Sequence, residues 1–279
     1  MSLDRRAGHR PTLNAKSRET VLITGASSGI GLELARCFAT DGCRLVLVAR
    51  NVPALETLAG ELRRTNGVEA VVLSADLSRL ETPGRIFKEL TRQNISVDVL
   101  VNNAAFGTWG AFARLPLTRQ LEMLQVNITA LTEMTGLFLP GMMERRGGGI
   151  LNVASVAGFL PGPGMAVYYA TKAFVLSFTE ALAEEVKVTG PVLTVTAVCP
   201  GPTETNFGGV ARFPDTRGTG VPAMSARAVA RLGHRDFRRG KVVAVSGLRN
   251  KLLVCGVRLA PRWLVRKMAG KVNRLETAN

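Results

Sequence analysis

Short apolar runs recur along this chain, and each is followed by a longer stretch of helical period. The runs are Val21-Leu22-Ile23-Thr24, Leu45 to Ala49, Val71-Val72-Leu73, Val97 to Val101, Ile150 to Ala154, Val192 to Val198 and Val242 to Val245. Successive rather than alternate residues are apolar, which demands a sheet buried on both faces. Helix candidates lie between the runs, over 29–40, 53–66, 80–93, 118–144, 166–188 and 223–233. Pro53 suits a first helical turn, Asn66-Gly67 reads as a stop, and Gly147-Gly148-Gly149 breaks the longest helix. Strand and helix in alternation predict an α/β fold, a single doubly wound domain with helices on both faces of a parallel sheet.

Size and composition narrow what such a domain needs. With 279 residues the chain can bury a core without disulfides or a structural metal. Apolar residues at 46% and charged residues at 20% exclude disorder throughout. The four cysteines, at 37, 43, 199 and 255, show no CxxC and read as free thiols of a reducing compartment. His9 and His234 are the two histidines, a poor basis for a zinc site or a Ser-His-Asp triad. The start of the chain is polar and lacks the apolar segment of a signal peptide. No uncharged apolar window reaches the length of a membrane span. The expected location is therefore cytoplasmic.

Charge divides the chain. The total is +15, with 36 basic and 21 acidic residues. Residues 20–204 are close to neutral, whereas residues 205–279 carry sixteen basic and three acidic groups. The expected organisation is a flexible basic arm over 1–19, a catalytic domain over 20–247 with a Gly/Pro-rich lid over 201–222, and a basic apolar helical extension over 248–279. That extension includes Leu252, Leu259, Trp263 and Met268. Its plainest reading is a solvated basic face whose apolar side packs on the body. Peripheral contact with an anionic membrane comes second, and nucleic acid is the weakest reading.

The first apolar run leads into Thr24-Gly25-Ala26-Ser27-Ser28-Gly29-Ile30-Gly31 and then a helix. Gly25 allows a tight exit, Gly29 lets backbone approach a diphosphate, and Gly31 permits close helix packing. Free amides at a helix start favour phosphate. The turn has no P-loop lysine, which disfavours triphosphate hydrolysis. The second run ends at Ala49-Arg50. A site for NAD wants an acidic residue here, and Arg50 instead offers a fork for a 2′-phosphate, favouring NADP(H) over NAD(H). Asp76-Leu77 follows the third run. Asp76 is placed either to accept from an adenine amine or, like Ser78, to cap the next helix.

Tyr168 and Lys172 stand four apart in a helix candidate and so share a face. A nearby ammonium favours the phenolate and prepares tyrosine for proton transfer. Ser155 follows the fifth run, at the sheet edge where ligands bind. Asn127, in the long helix, either supports the lysine through a water or is a satisfied core residue.

Thr24-Gly25-xxx-Gly29-x-Gly31, Asn102-Asn103-Ala104, Asn127, Ser155, Tyr168-xxx-Lys172 and Pro200-Gly201 together resemble the short-chain dehydrogenase/reductase family over about residues 20–205. The resemblance implies a seven-stranded parallel sheet of Rossmann type. It implies Tyr168 as general acid or base, Lys172 as the group that lowers its pKa and holds the nicotinamide ribose, Ser155 as the carbonyl-orienting hydroxyl, and Asn127 as keeper of a relay water. Asn103 and Ala104 would line the cofactor, with Pro200 and Gly201 beside it, and Thr205 would touch the carboxamide. One departure is Ala105 where glycine is usual; a positive φ there would cost about 1 kcal/mol. Arg50 is similar to the NADP-preferring branch near 17β-hydroxysteroid and 3-ketoacyl reductases.

Loops after the fourth, fifth and sixth runs contain Phe106, Trp109, Phe112, Phe159, Leu160, Met165, Phe207 and Phe213. Such a wall favours an apolar ketone or alcohol. The expected activity is NADP(H)-dependent interconversion of the two by hydride transfer, in a homodimer or homotetramer, the common assemblies of the family. The alternatives are a non-catalytic dinucleotide-binding scaffold and a lyase or epimerase on the same fold.

Overall fold

A computed structural model describes residues 19–189, 193–211 and 223–273. All seven apolar runs become strands of one parallel sheet. They are β1 (Thr20–Thr24), β2 (Arg44–Ala49), β3 (Ala70–Ser74), β4 (Val99–Asn102), β5 (Gly149–Val153), β6 (Thr194–Cys199) and, last, β9 (Val243–Val245). Two short strands, β7 (Thr203–Glu204) and β8 (Met224–Ser225), pair with each other outside it. The sheet order is β3-β2-β1-β4-β5-β6-β9. Strand order reverses between β1 and β4, which places a ligand crevice beyond their carboxyl ends.

The helices are α1 (Gly29–Thr40), α2 (Val52–Asn66), α3 (Thr82–Arg92), α4 (Leu117–Leu124), α5 (Ala130–Glu144), α6 (Ala166–Thr189), α7 (Phe207–Ala211), α8 (Ala226–Arg238), α9 (Leu248–Leu259) and α10 (Arg262–Val272). The period-two geometry of a strand divides the core. Val21 and Ile23 of β1 pack with Phe38 of α1, Leu58 of α2 and Phe237 of α8. Leu22, between them, packs with Ile86 of α3, Met134 of α5 and Leu182 of α6. Each apolar run is therefore covered on both faces, and a fully buried leucine such as Leu22 contributes about 1.5–3 kcal/mol.

Local chemistry sets the boundaries. Asn51 accepts from the Ala54 amide and caps α2, which ends at Gly67 in the left-handed region. β4 begins at Val99 rather than Val97, because Asp98 is used in the turn: its carboxylate accepts from the Thr20 amide at 2.9 Å. The long helix is divided by a π turn, Gln125–Thr129, between α4 and α5. The expected lid is more ordered than a loop over its described part, with β7 and α7 within it; residues 212–222, Phe213 among them, lie outside the described residues. So do most of the expected N-terminal arm, the start of the sixth run and residues 274–279.

His234 pairs with Asp41 at 2.9 Å and packs edge-on against Phe38, joining α8 to α1. His9 lies outside the described residues. All four cysteines are free. Among the described residues no three His, Cys, Asp or Glu are grouped to hold a metal.

Candidate active site

The turn after β1 is built by close approach. Gly29 has φ +56, and a side chain there would meet Thr205 Cγ2 at 3.0 Å. A Cβ on Gly31 would fall 2.4 Å from both the Gly25 carbonyl and Asn103 Nδ2. Asn103 is the brace of this turn. It donates through Nδ2 to the carbonyls of Thr24 (2.9 Å) and Gly25 (3.2 Å). Thr24 Oγ1 accepts from the amides of Asn103 and Ala104 and donates to Val101. The loops after β1 and β4 are thereby locked together across the switch point.

Beside this brace, Thr24, Leu77, Asn102, Ala104 and Val126 border one small gap. Asn102 donates to Asn152 (2.9 Å) and Thr135, while its Oδ1 is buried without a partner. Ser27 is half-buried and Ser28 exposed at the start of α1; Ser28 makes no side-chain cap, so its hydroxyl stays available to a ligand. Ile30 is half-buried. Ala105 has no positive φ, so the methyl group costs no backbone strain.

Arg50 is exposed at the carboxyl end of β2, within electrostatic reach of Asp76. Burial pushes the Asp76 carboxyl up, but the Ser78 amide and hydroxyl together with Arg50 and Arg79 outweigh it and hold the group below its ordinary value. Asp76 closes its own turn by accepting from the Ser78 amide at 3.1 Å. Neither Asp76 nor Ser78 caps the next helix, since α3 starts six residues beyond Asp76 with Glu81 at its N-cap.

The second half of the site gathers at the carboxyl ends of β5 and β6. Ser155 is buried; its Oγ accepts from the Ala157 amide (3.1 Å) and donates to the Pro200 carbonyl (3.3 Å). The Pro200 carbonyl also accepts from the Val156 amide, so the loops after β5 and β6 are joined at Ser155. Lys172 is buried on α6, and its Nζ donates to the Val153 carbonyl at 2.7 Å. Nζ lies 5.9 Å from the centre of the Tyr168 ring. Burial pushes Lys172 down to about 8. Burial also pushes the Tyr168 hydroxyl up, with the Ser155 hydroxyl beside it acting the other way. The lowering expected from Lys172 is opposed here by burial of the hydroxyl. Desolvation of the phenolate exceeds every favourable contact on it, and the phenol stays protonated near neutral pH.

Asn127 sits in the π turn, where the wider backbone turn aims its side chain inward. Its Oδ1 accepts from the Phe106 amide, and its Nδ2 donates to the Phe106 carbonyl (2.9 Å) and Thr171 Oγ1 (3.1 Å). Thr171 directly precedes Lys172. Asn127 thus ties the loop after β4 to α6, with both amide hydrogens spent on protein. Gly201 packs against Asn250 of α9, and Thr205 Oγ1 accepts from the Phe207 amide.

The aromatic wall is sorted by the fold. Phe207 lies 5.0 Å from Tyr168, ring centre to ring centre, and Met165 approaches the same spot across Gly107. Phe106 stacks under Arg119. Phe159 packs beneath Arg258 of α9, and Leu160 is half-buried. Phe112 is 59% exposed. Trp109 instead reaches a residue that local pattern did not reveal. Its Nε1 donates to the Asn273 carbonyl at 2.8 Å, while the Asn273 side chain accepts from Tyr169 and donates to the Pro163 carbonyl at 2.8 Å. No local motif marks Asn273; only the packing of α10 brings it to these loops.

The glycine cradle and the free helix start fit the diphosphate of a nicotinamide dinucleotide. A separate cleft of about 440 Å³ between α3 and α5 lies at the amino ends of β4 and β5, the opposite edge from this chemistry.

Known proteins share this arrangement of sequence and fold. A family model for short chain dehydrogenase matches residues 19–212. A Streptomyces coelicolor protein that carries the provisional name of ketoacyl reductase is 40% identical over 189 residues, covering 67% of this chain and 71% of that protein. Two other curated relatives are longer, and the aligned part spans only 61% and 52% of them. A short-chain dehydrogenase from Sphingobium yanoikuyae in complex with NADPH superposes with a TM-score of 0.77 at 35% identity, over 86% of this chain and 94% of that one. A short chain dehydrogenase/reductase from Burkholderia phymatum in complex with NAD gives 0.76 at 25% identity, over 87% and 92%.

Proposed function

Since the chain belongs to the short-chain dehydrogenase family, and so to oxidoreductases that act on carbonyl and alcohol groups with a nicotinamide dinucleotide, we propose that it is an NADP(H)-dependent reductase of an apolar ketone. The observation that carries this reading is the convergence of Ser155, Tyr168 and Lys172 beside the glycine turn. Arg50 supports NADP(H): Ala49 takes away the carboxylate that an NAD site presents here, and Arg50 beside it is an exposed guanidinium. NADPH and NAD are each bound by one of the two structural relatives named above, so the preference rests on Arg50.

The residues divide the work as follows. The bound cofactor supplies the hydride. Tyr168, protonated near neutral pH, donates its hydroxyl proton to the carbonyl oxygen as negative charge develops there. The Ser155 hydroxyl, held by the Ala157 amide, turns its one proton from the Pro200 carbonyl to the same oxygen and orients it. Lys172, a cation at neutral pH, favours the phenolate that remains. Its present hydrogen bond to Val153 fixes it under Tyr168. Asn127 positions the floor of the pocket through Phe106 and Thr171.

Met165 and Phe207 against Tyr168 support an apolar substrate, and a fatty or steroid ketone suits them better than a sugar. The ketoacyl reductase name of the Streptomyces relative points the same way. Residues 20–247 would act as the catalytic domain and 248–279 as an extension bearing on its substrate loops. Assembly into a homodimer or homotetramer belongs to the same reading.

The test is titration with NADPH and NADH by calorimetry, followed by oxidation of NADPH in the presence of 3-oxoacyl thioesters and steroid ketones. Tighter NADPH binding with ketone-dependent oxidation is expected. Binding without oxidation across that panel would favour a scaffold, and substrate conversion without net cofactor turnover would favour a lyase or epimerase. Arg50→Asp should weaken NADPH more than NADH; equal loss would remove the basis for the NADP(H) preference.

A further inference from the structure

We propose that α9 and α10 form a docking surface for an anionic phospholipid bilayer. The two helices follow one another with a single Ala260-Pro261 joint, and their inner sides are used: Val254, Val265 and Ala269 are buried. Their outer sides invert the usual amphipathic order. Leu248, Leu252, Cys255 and Leu259 recur at the spacing of one helical face, and every one is exposed. Leu248 is 73% and Leu259 83% exposed. On α10, Trp263, Met268 and Val272 are more than half exposed. A monomeric surface seldom concentrates large apolar side chains in this way without a partner.

Charge selects the partner. Residues 248–273 carry seven Lys and Arg and no Asp or Glu. Lys267 lies over the exposed Trp263 ring at 5.7 Å, an amphipathic pair suited to the headgroup boundary. A second copy of this surface would set these cations against their equals. Nucleic acid would satisfy the cations and leave the leucines in water. A bilayer with anionic headgroups takes both, apolar side chains entering the boundary and cations meeting phosphate and carboxylate. The surface also adjoins the candidate pocket. Asn273, just past α10, holds Trp109, Tyr169 and Pro163, and Gly270 packs on Pro163. An apolar ketone dissolved in the bilayer would reach the pocket from this side, a consequence that rests on the reductase reading.

Vesicle flotation of the full chain tests the docking surface without cofactor or substrate, so its outcome is separate from that of the enzymatic reading. Vesicles of phosphatidylcholine alone are compared with vesicles holding roughly 30 mol% phosphatidylserine. Expected are at least about tenfold tighter binding to the anionic vesicles, weakening as salt rises, and quenching of Trp263 fluorescence by brominated lipid. A Leu252→Ser, Leu259→Ser, Trp263→Ser variant and a Lys251→Glu, Arg262→Glu, Arg266→Glu variant should each lose at least about tenfold in that binding. All six side chains are exposed, and unchanged thermal unfolding would show that the fold is intact. Binding to neither vesicle, equal binding to both, or full binding by the serine variant would overturn the proposal. So would vesicle-independent self-association that the serine variant abolishes, or nucleic-acid binding in preference to vesicles.

Discussion

At the scale of single residues, burial governs the proton chemistry. Burial pushes the Tyr168 hydroxyl up because the phenolate is poorly solvated, and in the proposed reaction it would release its proton to a developing oxyanion. Tyr168→Phe should cut kcat by at least about a hundredfold while NADPH still binds; calorimetry beside a turnover assay checks both halves. Lys172 gives a pH test. Its folded value is about 8 and its ordinary value 10.5, so between these the unfolded chain holds a proton that the folded lysine has released. Folding stability then gains from this residue as pH rises through that window. The stability of the parent relative to Lys172→Met should improve between about pH 7 and about pH 9.5 in denaturant unfolding. A constant difference would contradict the buried, shifted lysine. The Tyr168–Lys172 spacing, Ser155 and the glycines were legible as a pattern. The burial of the tyrosine hydroxyl was not, because it depends on neighbours brought in from other elements.

At the scale of elements, the site is a set of loops tied pairwise. Asn103 ties the loops after β1 and β4, Ser155 with Pro200 those after β5 and β6, and Asn127 the loop after β4 to α6. Gly31→Ala would drive a methyl group against the Gly25 carbonyl and Asn103. The expected cost is about 1–3 kcal/mol, with loss of NADPH affinity, read by denaturant unfolding and calorimetry. Asn273→Ala would leave the Pro163 carbonyl and the Tyr169 hydroxyl without their partner. A loss of about 1–3 kcal/mol is expected, visible as a lower unfolding temperature. The strands and most helices were readable from apolar periodicity, since burial on both faces leaves a local trace. The β7–β8 pair left no such trace, because it exists only by pairing between separate segments; the π turn is a local widening of the helix that apolar period does not mark.

At the scale of the whole molecule, a nearly neutral stretch over residues 20–204 is followed by a strongly basic C-terminal quarter, whose last two helices pack on the loops after β4, β5 and β6. Removal of residues 260–279 takes away α10 and Asn273 but leaves Asn250 against Gly201. NADPH binding should survive this truncation, while KM for an apolar ketone rises by about tenfold as Trp109 and Pro163 lose their anchor; steady-state kinetics would read the change. The sequence by itself determined the α/β class, the parallel sheet, the dinucleotide turn and the family resemblance, because each follows from spacing within one segment. Tertiary structure alone decided which aromatic residues face Tyr168, that Asn127 spends its amide hydrogens on Phe106 and Thr171, and that Asn273 closes on Trp109, Tyr169 and Pro163. Those contacts join residues far apart in the chain, and only the packing of helices on the sheet fixes their distances.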